Sequence, residues 1–369
     1  MADITLSSKN SGGLMKRLTT ISLYAAILLI LGTAPTFALT FSGQAPQTGS
    51  TQGDTNTAFN NMLTQLNGAS GQFKNIDRPT KMTAAYADAA TFSNSAATQR
   101  GYINYDMLSL SLGIMAGAQL PGSGRDDLKN LGDDLEENGD AKVGANVQFA
   151  GQVGLNCSAL VDGLYLGIKY GSIKYDYNED DNKYEFDAFI FGLVANYELM
   201  KGSEIGLGFI KWRGLSFGSG LVYQRTKNNF FLDGNTVTTN SGSVALSVNP
   251  DLEFALKTTT LSVPLELTTA FRLFWCLNLH AGVGADLQLI GKSEMKLGTH
   301  AGIGVTGATV NRPGYISASE KVKEDAGIFQ PKLMLGIGIG IADYLVLEMP
   351  ITYYLDDGVN VGITLGCYL

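Results

Sequence analysis

The segments LMLGIGIGI (residues 333–341), LVLEMPITY (345–353) and VNVGITLGCYL (359–369) decide the fold class, because all three repeat one pattern. Aliphatic residues occupy every second position, and the positions between them are mostly glycine, hydroxyl, amide or carboxylate. The short turns Ala342-Asp343 and Asp356-Asp357-Gly358 separate the segments. Since successive side chains of a strand point to opposite faces, the pattern predicts three β-strands, each with one aliphatic face and one mostly polar face.

Composition distinguishes between the two architectures that such strands can build. In a soluble sandwich the aliphatic face covers a core, whereas in an outer-membrane barrel it meets lipid and the polar face lines the lumen. Charged residues are only 16% of this chain, against about 25% in soluble proteins. No apolar run reaches the roughly 18 residues of a membrane helix. The composition therefore favours a membrane barrel, and the net charge of −8 argues against nucleic acid as a partner.

The amino terminus has the features of a secretory signal peptide. Lys16-Arg17 precede an apolar run from Leu18 to Leu31, and small residues follow it up to Ala38. This order of a basic, an apolar and a small-residue region predicts cleavage after Ala38. The sequence thus predicts an N-terminal extension and signal peptide over 1–38, a flexible or helical leader or plug over 39–100, and a barrel over 101–369.

Two stretches of the leader have helical periodicity. Apolar residues recur at helical spacing from Phe59 to Leu66 and again from Met82 to Phe92. Pro79 stands near the start of the second stretch and suits a helix entry. We therefore expect two short helices between residues 56 and 95.

The spacing of turns and loops predicts how the strands are connected. Period-two segments recur between residue 102 and the C-terminus and predict about ten strands, in the range of roughly 8 to 14. Short turns near 159–162, 271–275 and 342–343 fall at one end of these strands, and long loops near 121–141, 228–249 and 292–325 at the other. Outer-membrane barrels have this asymmetry. The predicted fold is all-β, an antiparallel up-and-down transmembrane barrel with a short helical leader.

Seven ionisable residues are predicted to face the lumen. Charges that faced lipid would cost about 2–4 kcal/mol each for basic residues at mid-membrane, so their consistent inward register supports the assignment of faces. Two interpretations stay open: the charges pair across a filled barrel, or they line a channel that selects solutes by charge. The residues are Lys169, Glu198, Glu266, His280, Asp286, Lys332 and Glu348.

The sequence offers no constellation for catalysis or metal binding. The chain has two histidines, and neither belongs to a nucleophile motif of the kind an outer-membrane hydrolase needs. Cysteine and histidine do not cluster at metal-ligand spacing. We therefore predict that the protein is not an enzyme and needs no metal or other cofactor.

These features together resemble a bacterial outer-membrane β-barrel. The segment Val359–Leu369 is similar to the C-terminal assembly signal of that class, although Leu369 stands where an aromatic residue is usual. The resemblance implies partnership with the barrel-assembly machinery and with outer-membrane lipid, in a bacterium with two membranes. The stretch KWRGL (211–215) and the helical leader resemble spirochaete barrels of the FadL-like or surface-adhesin type.

Two functional hypotheses follow. The first is a passive pore or conduit for small solutes or apolar molecules. The alternative is a surface-exposed adhesin or structural barrel whose long loops bind extracellular partners. Glycines on the lumen face permit another backbone to approach closely, so we expect residues 56–95 to plug the mouth at the short-turn end. In the competing interpretation the glycines widen an open pore and the helices hang free.

Overall fold

Ten antiparallel strands form a closed ring in the computed structural model of this chain. The structure describes residues 5–7, 40–70, 78–100, 105, 107–120, 143–179, 182–205, 209–234, 236–341 and 344–369. The predicted signal peptide and the acidic loop at 121–141 lie outside these residues. In chain order the strands are β1 (Leu108–Gln119), β2 (Gly144–Asn156), β3 (Leu164–Glu179), β4 (Asn182–Met200), β5 (Ile210–Leu232), β6 (Leu252–Leu273), β7 (Leu277–Thr306), β8 (Phe329–Ile341), β9 (Leu345–Tyr354) and β10 (Gly358–Tyr368).

Each strand of the ring pairs with the strands before and after it in the sequence. The last strand closes the ring by pairing antiparallel with the first, from Gly358 opposite Gln119 to Tyr368 opposite Ser109. The predicted up-and-down barrel of about ten strands is therefore confirmed. Full closure leaves no free sheet edge within the ring.

The two faces of the wall differ as the period-two pattern predicts. Outward-facing Leu112, Ile114, Leu335 and Ile363 are 56%, 48%, 63% and 53% exposed. The residues between them are buried inside the ring. A closed barrel with an aliphatic outer belt is a transmembrane barrel, because water could not solvate that belt favourably and lipid can.

All connections at one end of the barrel, which we call the turn end, are short, whereas the opposite end has long connections as well as the short turn between Tyr354 and Gly358. The connections of the turn end comprise 157–163, 201–209, 274–276 and 342–344, and the C-terminus lies at the same end. The turn predicted at 271–275 is shifted, since β6 continues to Leu273. The turn predicted near 159–162 falls as expected, and the turn predicted at 342–343 lies outside the described residues. Ser203–Ile205 pairs with the start of β5, so this connection extends the flanking strands.

The opposite end, the loop end, is more regular than predicted. The predicted loops at 228–249 and 292–325 are wrong, because β5 continues to Leu232, β7 to Thr306, and an additional strand covers Gly314–Asp325. A hairpin, Val237–Ser241 and Val244–Val248, fills the β5–β6 connection. These strands project beyond the aliphatic belt and carry charged outer faces, which hid the period-two signal. We call the projecting parts of β3 to β7, the hairpin and Gly314–Asp325 together the cap sheet. The cap sheet and the helix Gln52–Ser70 together form the cap.

Two helices precede the barrel and occupy different places. The first, α1 (Gln52–Ser70), packs on the hairpin of the loop end, where Phe59 and Met62 contact Leu246 and Ile316. The second, α2 (Arg78–Phe92), contacts β1, β2, β6, β7 and β10 from inside the ring. No described helix combines the length and the apolar character needed to cross a membrane.

A second apolar cluster joins α2 to the cap sheet. Met82 and Tyr86 of α2 pack with Phe230, Phe254 and Met295. Burial in this cluster raises the pKa of Tyr86 to about 12, so the phenol stays neutral. The described residues of the leader thus close the barrel from the loop end, with α1 on the hairpin and α2 inside the ring, and the predicted position at the turn-end mouth is wrong.

Candidate functional site: the plugged lumen and the cap

Residues 78–100, which we call the plug, occupy the interior of the barrel. Alanines dominate the part of α2 that enters the ring: Ala85, Ala87 and Ala89 are fully buried, and Ala90 is 1% exposed. Their small side chains keep the helix thin enough to fit inside a ten-stranded wall. Phe92 then stacks on Tyr354 of β9, with ring centroids 4.0 Å apart.

Glycines of the wall allow the plug backbone to approach closely. A Cβ atom at Gly144 would lie 2.4 Å from the carbonyl carbon of Ala85, and one at Gly117 would lie 2.5 Å from the carbonyl oxygen of Ala89. A Cβ at Gly113 would lie 2.6 Å from the nitrogen of Ala97. The wall is therefore shaped around the plug.

The period-two pattern alone identifies only some of these glycines. It predicts nine on the lumen face: Gly144, Gly154, Gly218, Gly220, Gly336, Gly338, Gly340, Gly362 and Gly366. Of these, Gly144 meets the plug backbone and Gly366 meets the side chain of Gln99 in the plug. The others face residues outside the plug, as Gly336 faces His280. Gly113 and Gly117 were missed, although both stand in β1 at the period-two positions that face the lumen.

A buried ion cluster fastens the end of the plug to the wall. Arg100 donates two hydrogen bonds to Glu266 of β6, from Nε at 2.9 Å and from Nη2 at 2.8 Å. Lys332 of β8 donates to Glu266 at 2.6 Å and to Asp286 of β7 at 2.9 Å. The hydroxyl of Tyr354 donates to Asp286 at 3.0 Å. Each charge therefore has an opposite partner within hydrogen-bond distance.

The remaining predicted lumen residues have three different surroundings. Lys169 donates to the carbonyl of Asn94 at 2.9 Å and to the hydroxyl of Thr98 at 2.6 Å, both in the plug. His280 and Glu348 pair with each other in the wall, fully buried. Glu198 does not join them; it lies at the turn-end rim, in a surface cavity that Lys201 also lines. Pairing across a filled barrel therefore describes the other six residues better than an open channel lining.

Hydrogen bonds to uncharged groups of the wall and its connections complete the attachment of the plug. Asp88 accepts hydrogen bonds from the main chain of Gly327 at 2.8 Å and from the side chain of Gln330 at 2.9 Å. Asn360 donates to the carbonyl of Phe92 at 2.6 Å. The sequence does not predict the role of Arg100, since a single arginine after a helix carries no pattern.

The outer surface of the cap is polar. The exposed face of α1 carries uncharged amides and hydroxyls, and Asp54 is the only ionisable residue of that helix. The outer face of the cap sheet carries ion pairs, among them Lys321 with Glu294 at 2.6 Å and Arg225 with Asp187 at 3.4 Å. Such a surface suits contact with water and with polar molecules. The exposed residues of α1 include Asn56, Thr57, Asn60, Asn61, Thr64 and Gln65.

One protein-family model, described as Lsa36-like, matches residues 24–367 of the chain. The chain belongs to the Lsa36-like family. The match spans the plug, the cap and all but the end of the barrel, so the architecture described above belongs to a single family unit. No curated protein matches the sequence.

Several solved barrels resemble this Lsa36-like chain distantly. The translocator domain of the autotransporter NalP from Neisseria meningitidis is 10% identical, with a TM-score of 0.29 over 72% of this chain and 89% of that one. The toluene transporter TbuX from Ralstonia pickettii is 8% identical, with 0.26 over 78% and 99%. The attachment invasion locus protein Ail of Yersinia pestis is 12% identical, with 0.17 over 71% and 98%. At identities and TM-scores this low, the resemblance to these barrels does not indicate a function.

Within the described ranges, His, Cys, Asp and Glu form no group of three or more that could hold a metal ion. The buried charges face one another and the plug, away from any surface that a substrate could reach.

Gly144→Val tests whether the wall is fitted to the plug. The new side chain would collide with the backbone at Ala85 and Tyr86, so we expect a loss of about 1–3 kcal/mol in the free energy of unfolding and faster proteolysis within residues 78–100. Gly302→Val is the matched control, because nothing lies within 4 Å of a Cβ there. Equal behaviour of the two variants in urea unfolding and limited proteolysis would refute the fit.

Proposed function

We propose that this Lsa36-like protein is an outer-membrane barrel closed by its own N-terminal segment, acting at the cell surface through its cap. The occupied lumen is the observation that supports this. The plug fills the ring from the cap to Arg100, and its contacts are hydrogen bonds and ion pairs to many strands. Of the two hypotheses, the surface-exposed barrel is thus favoured over the passive pore.

The orientation follows from the connections. Outer-membrane barrels place short turns in the periplasm and longer connections outside, which puts the cap and α1 on the extracellular side. We propose that the signal peptide is removed after Ala38 and that Val359–Leu369 is read by the barrel-assembly machinery. The plug would then enter the barrel during assembly, since β1 begins at the turn end.

A conduit would need the plug to move. Displacing the plug would separate Arg100 from Glu266 and leave a buried charge without a partner, which typically costs about 3–5 kcal/mol. It would also uncover the backbone contacts at Gly113, Gly117 and Gly144. A solute that passes through this lumen must supply that free energy, whereas a surface protein gains rigidity from the same contacts.

The cap presents the polar surface that this function requires. Amides and hydroxyls along α1 offer donors and acceptors without a net charge, and the cap sheet holds the helix by an apolar cluster around Met62 and Leu246. A rigid, hydrogen-bonding surface suits a polar extracellular macromolecule. We propose the exposed face of α1 as the contact surface, with Asn60, Asn61 and Gln65 at its centre.

Conductance and adhesion test the proposal together. The refolded full chain should give no steady conductance in a planar bilayer, because the lumen is filled. Cells that display the chain should adhere to a coating of extracellular-matrix glycoproteins more than control cells do, and replacing Asn60, Asn61 and Gln65 by alanine should reduce that adhesion severalfold. A steady, solute-selective conductance without adhesion would instead establish the pore.

A further inference from the structure

Three lysines on the outer face of the cap sheet form no ion pair with a carboxylate of the described residues. Lys227 of β5 stands directly opposite Lys257 of β6, and Lys292 of β7 stands opposite Thr259, two residues from Lys257. Among the described residues, no carboxylate lies within 4.0 Å of any of the three ammonium groups. Like charges directly opposite each other in a sheet are destabilising, so an additional anion at the Lys227–Lys257 pair would stabilise this face.

The neighbouring carboxylates of this face are already engaged. Glu294, which stands opposite Lys257, lies 2.6 Å from Lys321 and 3.7 Å from Lys323. Asp187, the register partner of Lys227, lies 3.4 Å from Arg225. Asp325 is the register partner of Lys292. Three carboxylates thus stand among the three lysines, Arg225, Lys321 and Lys323, and a net positive charge remains on this face.

The lysines lie at the upper edge of the lipid-facing belt. In the row below them, Tyr223 pairs with Leu261 and Leu261 with Ile290, all on the outer face. The next row contains Arg225 and Lys292, and the following one Lys227 and Lys257. Successive rows on one face are roughly 6.6 Å apart, twice the rise per residue. The lysines therefore lie one and two rows above the aliphatic belt, as a lipid phosphate lies above its acyl chains.

We propose that Lys227, Lys257 and Lys292 bind the phosphate of an anionic lipid of the surrounding leaflet. The acyl chains of that lipid would lie on Leu261 and Ile290, and Arg225 would border the headgroup. The aliphatic row directly below the cations favours a lipid over a soluble anion, because the two surfaces are continuous on the same three strands. The site would fix the height of the barrel in the membrane on this side.

Lipid titration of the purified full chain tests the proposal. Phosphatidylglycerol is added to the protein in neutral detergent, and bound lipid is counted by native mass spectrometry. Replacing Lys227, Lys257 and Lys292 by glutamine should weaken binding about 10- to 100-fold, given the contribution of each basic residue near an anionic surface. Phosphatidylcholine should bind the wild-type chain no better than it binds this variant.

The matched control replaces Lys296, Lys321 and Lys323 by glutamine. Lys296 and Lys321 lie on the same face one row farther from the aliphatic belt, and Lys323 lies in the row of Lys257. All three pair with Glu253 or Glu294. The control should change the affinity less than about threefold. Equal losses in the two triple variants, or equal binding of the two lipids, would overturn the proposal. Displacement of the lipid by inorganic phosphate at equal concentration would assign the site to a free anion and likewise overturn it.

A second variant keeps the test valid if the triple variant assembles poorly. Lys257→Gln removes the like-charge pair with Lys227 without placing a second carboxylate opposite Glu294, and it should not lower the unfolding temperature in neutral detergent. The increase that phosphatidylglycerol gives the wild-type chain should then be lost. An unchanged lipid-dependent increase in this variant would contradict the proposed site.

Discussion

Glu266→Ala should be among the most destabilising single substitutions in the chain. It leaves Arg100 without its only carboxylate partner among the described ion pairs and removes one of the two carboxylates that hold Lys332. Breaking a buried ion pair by removing one partner typically costs about 3–5 kcal/mol, because an uncompensated charge remains in a dry site. The loss should appear in the free energy of unfolding measured by urea titration in detergent micelles.

Two further variants separate this effect from a simple loss of packing. Glu266→Gln keeps the shape and two polar atoms, and should destabilise less than alanine does. Arg100→Ala combined with Glu266→Ala should cost less than the sum of the single variants, because the double change removes both charges of the contact. Strict additivity, or a loss below about 1 kcal/mol for Glu266→Ala, would mean that this cluster does not hold the plug.

Val283→Arg should prevent efficient assembly of the barrel. Val283 is 51% exposed on the outer face of β7, between Leu267 of β6 and Leu333 of β8, so the arginine would enter lipid. A basic residue at mid-membrane costs about 2–4 kcal/mol in such barrels. Heat-modified migration on a gel, in which the folded form runs faster before boiling, measures the assembled fraction.

The control introduces the same residue type, arginine, on the same strand but above the membrane. His300 lies on the exposed outer face of β7 within the cap sheet, so His300→Arg should assemble like the wild-type chain. Val283→Leu should also assemble, since it keeps an aliphatic side chain towards lipid. Normal assembly of Val283→Arg would mean that the assigned inner and outer faces are exchanged.

The amino-acid sequence determined the wall of this protein. In β8, β9 and β10 the alternation of aliphatic with small or polar residues fixes which side meets lipid, because a strand has a strict period of two. The same periodicity gave ten strands, the inward register of Lys169, Glu266, Asp286 and Lys332, and the short turns at one end. These properties are local, and each is encoded within a few consecutive residues.

The sequence pattern did not predict the strands that extend above the membrane, where neither face contacts lipid. The stretches at 228–249 and 292–325 seemed to be loops, since charged residues such as Lys292, Glu294 and Lys296 replace the aliphatic belt there. Their strand character comes from pairing: β7 is 30 residues long because β6 and Gly314–Asp325 continue alongside it. A partner strand distant in sequence supplies the hydrogen bonds, and no local pattern reports it.

The tertiary structure alone decided what fills the barrel. The small residues of α2 and the glycines of β1 and β2 are separately unremarkable, and only their approach, as at Gly144 and Ala85, shows that they fit one another. Arg100 likewise gains its role from Glu266, 166 positions away in the chain. The fit of the plug and the pairing of buried charges depend on distances across the lumen, and these distances are fixed only when all ten strands have joined into the ring. The sequence therefore determined a membrane barrel, and the assembled ring decided that this barrel is plugged.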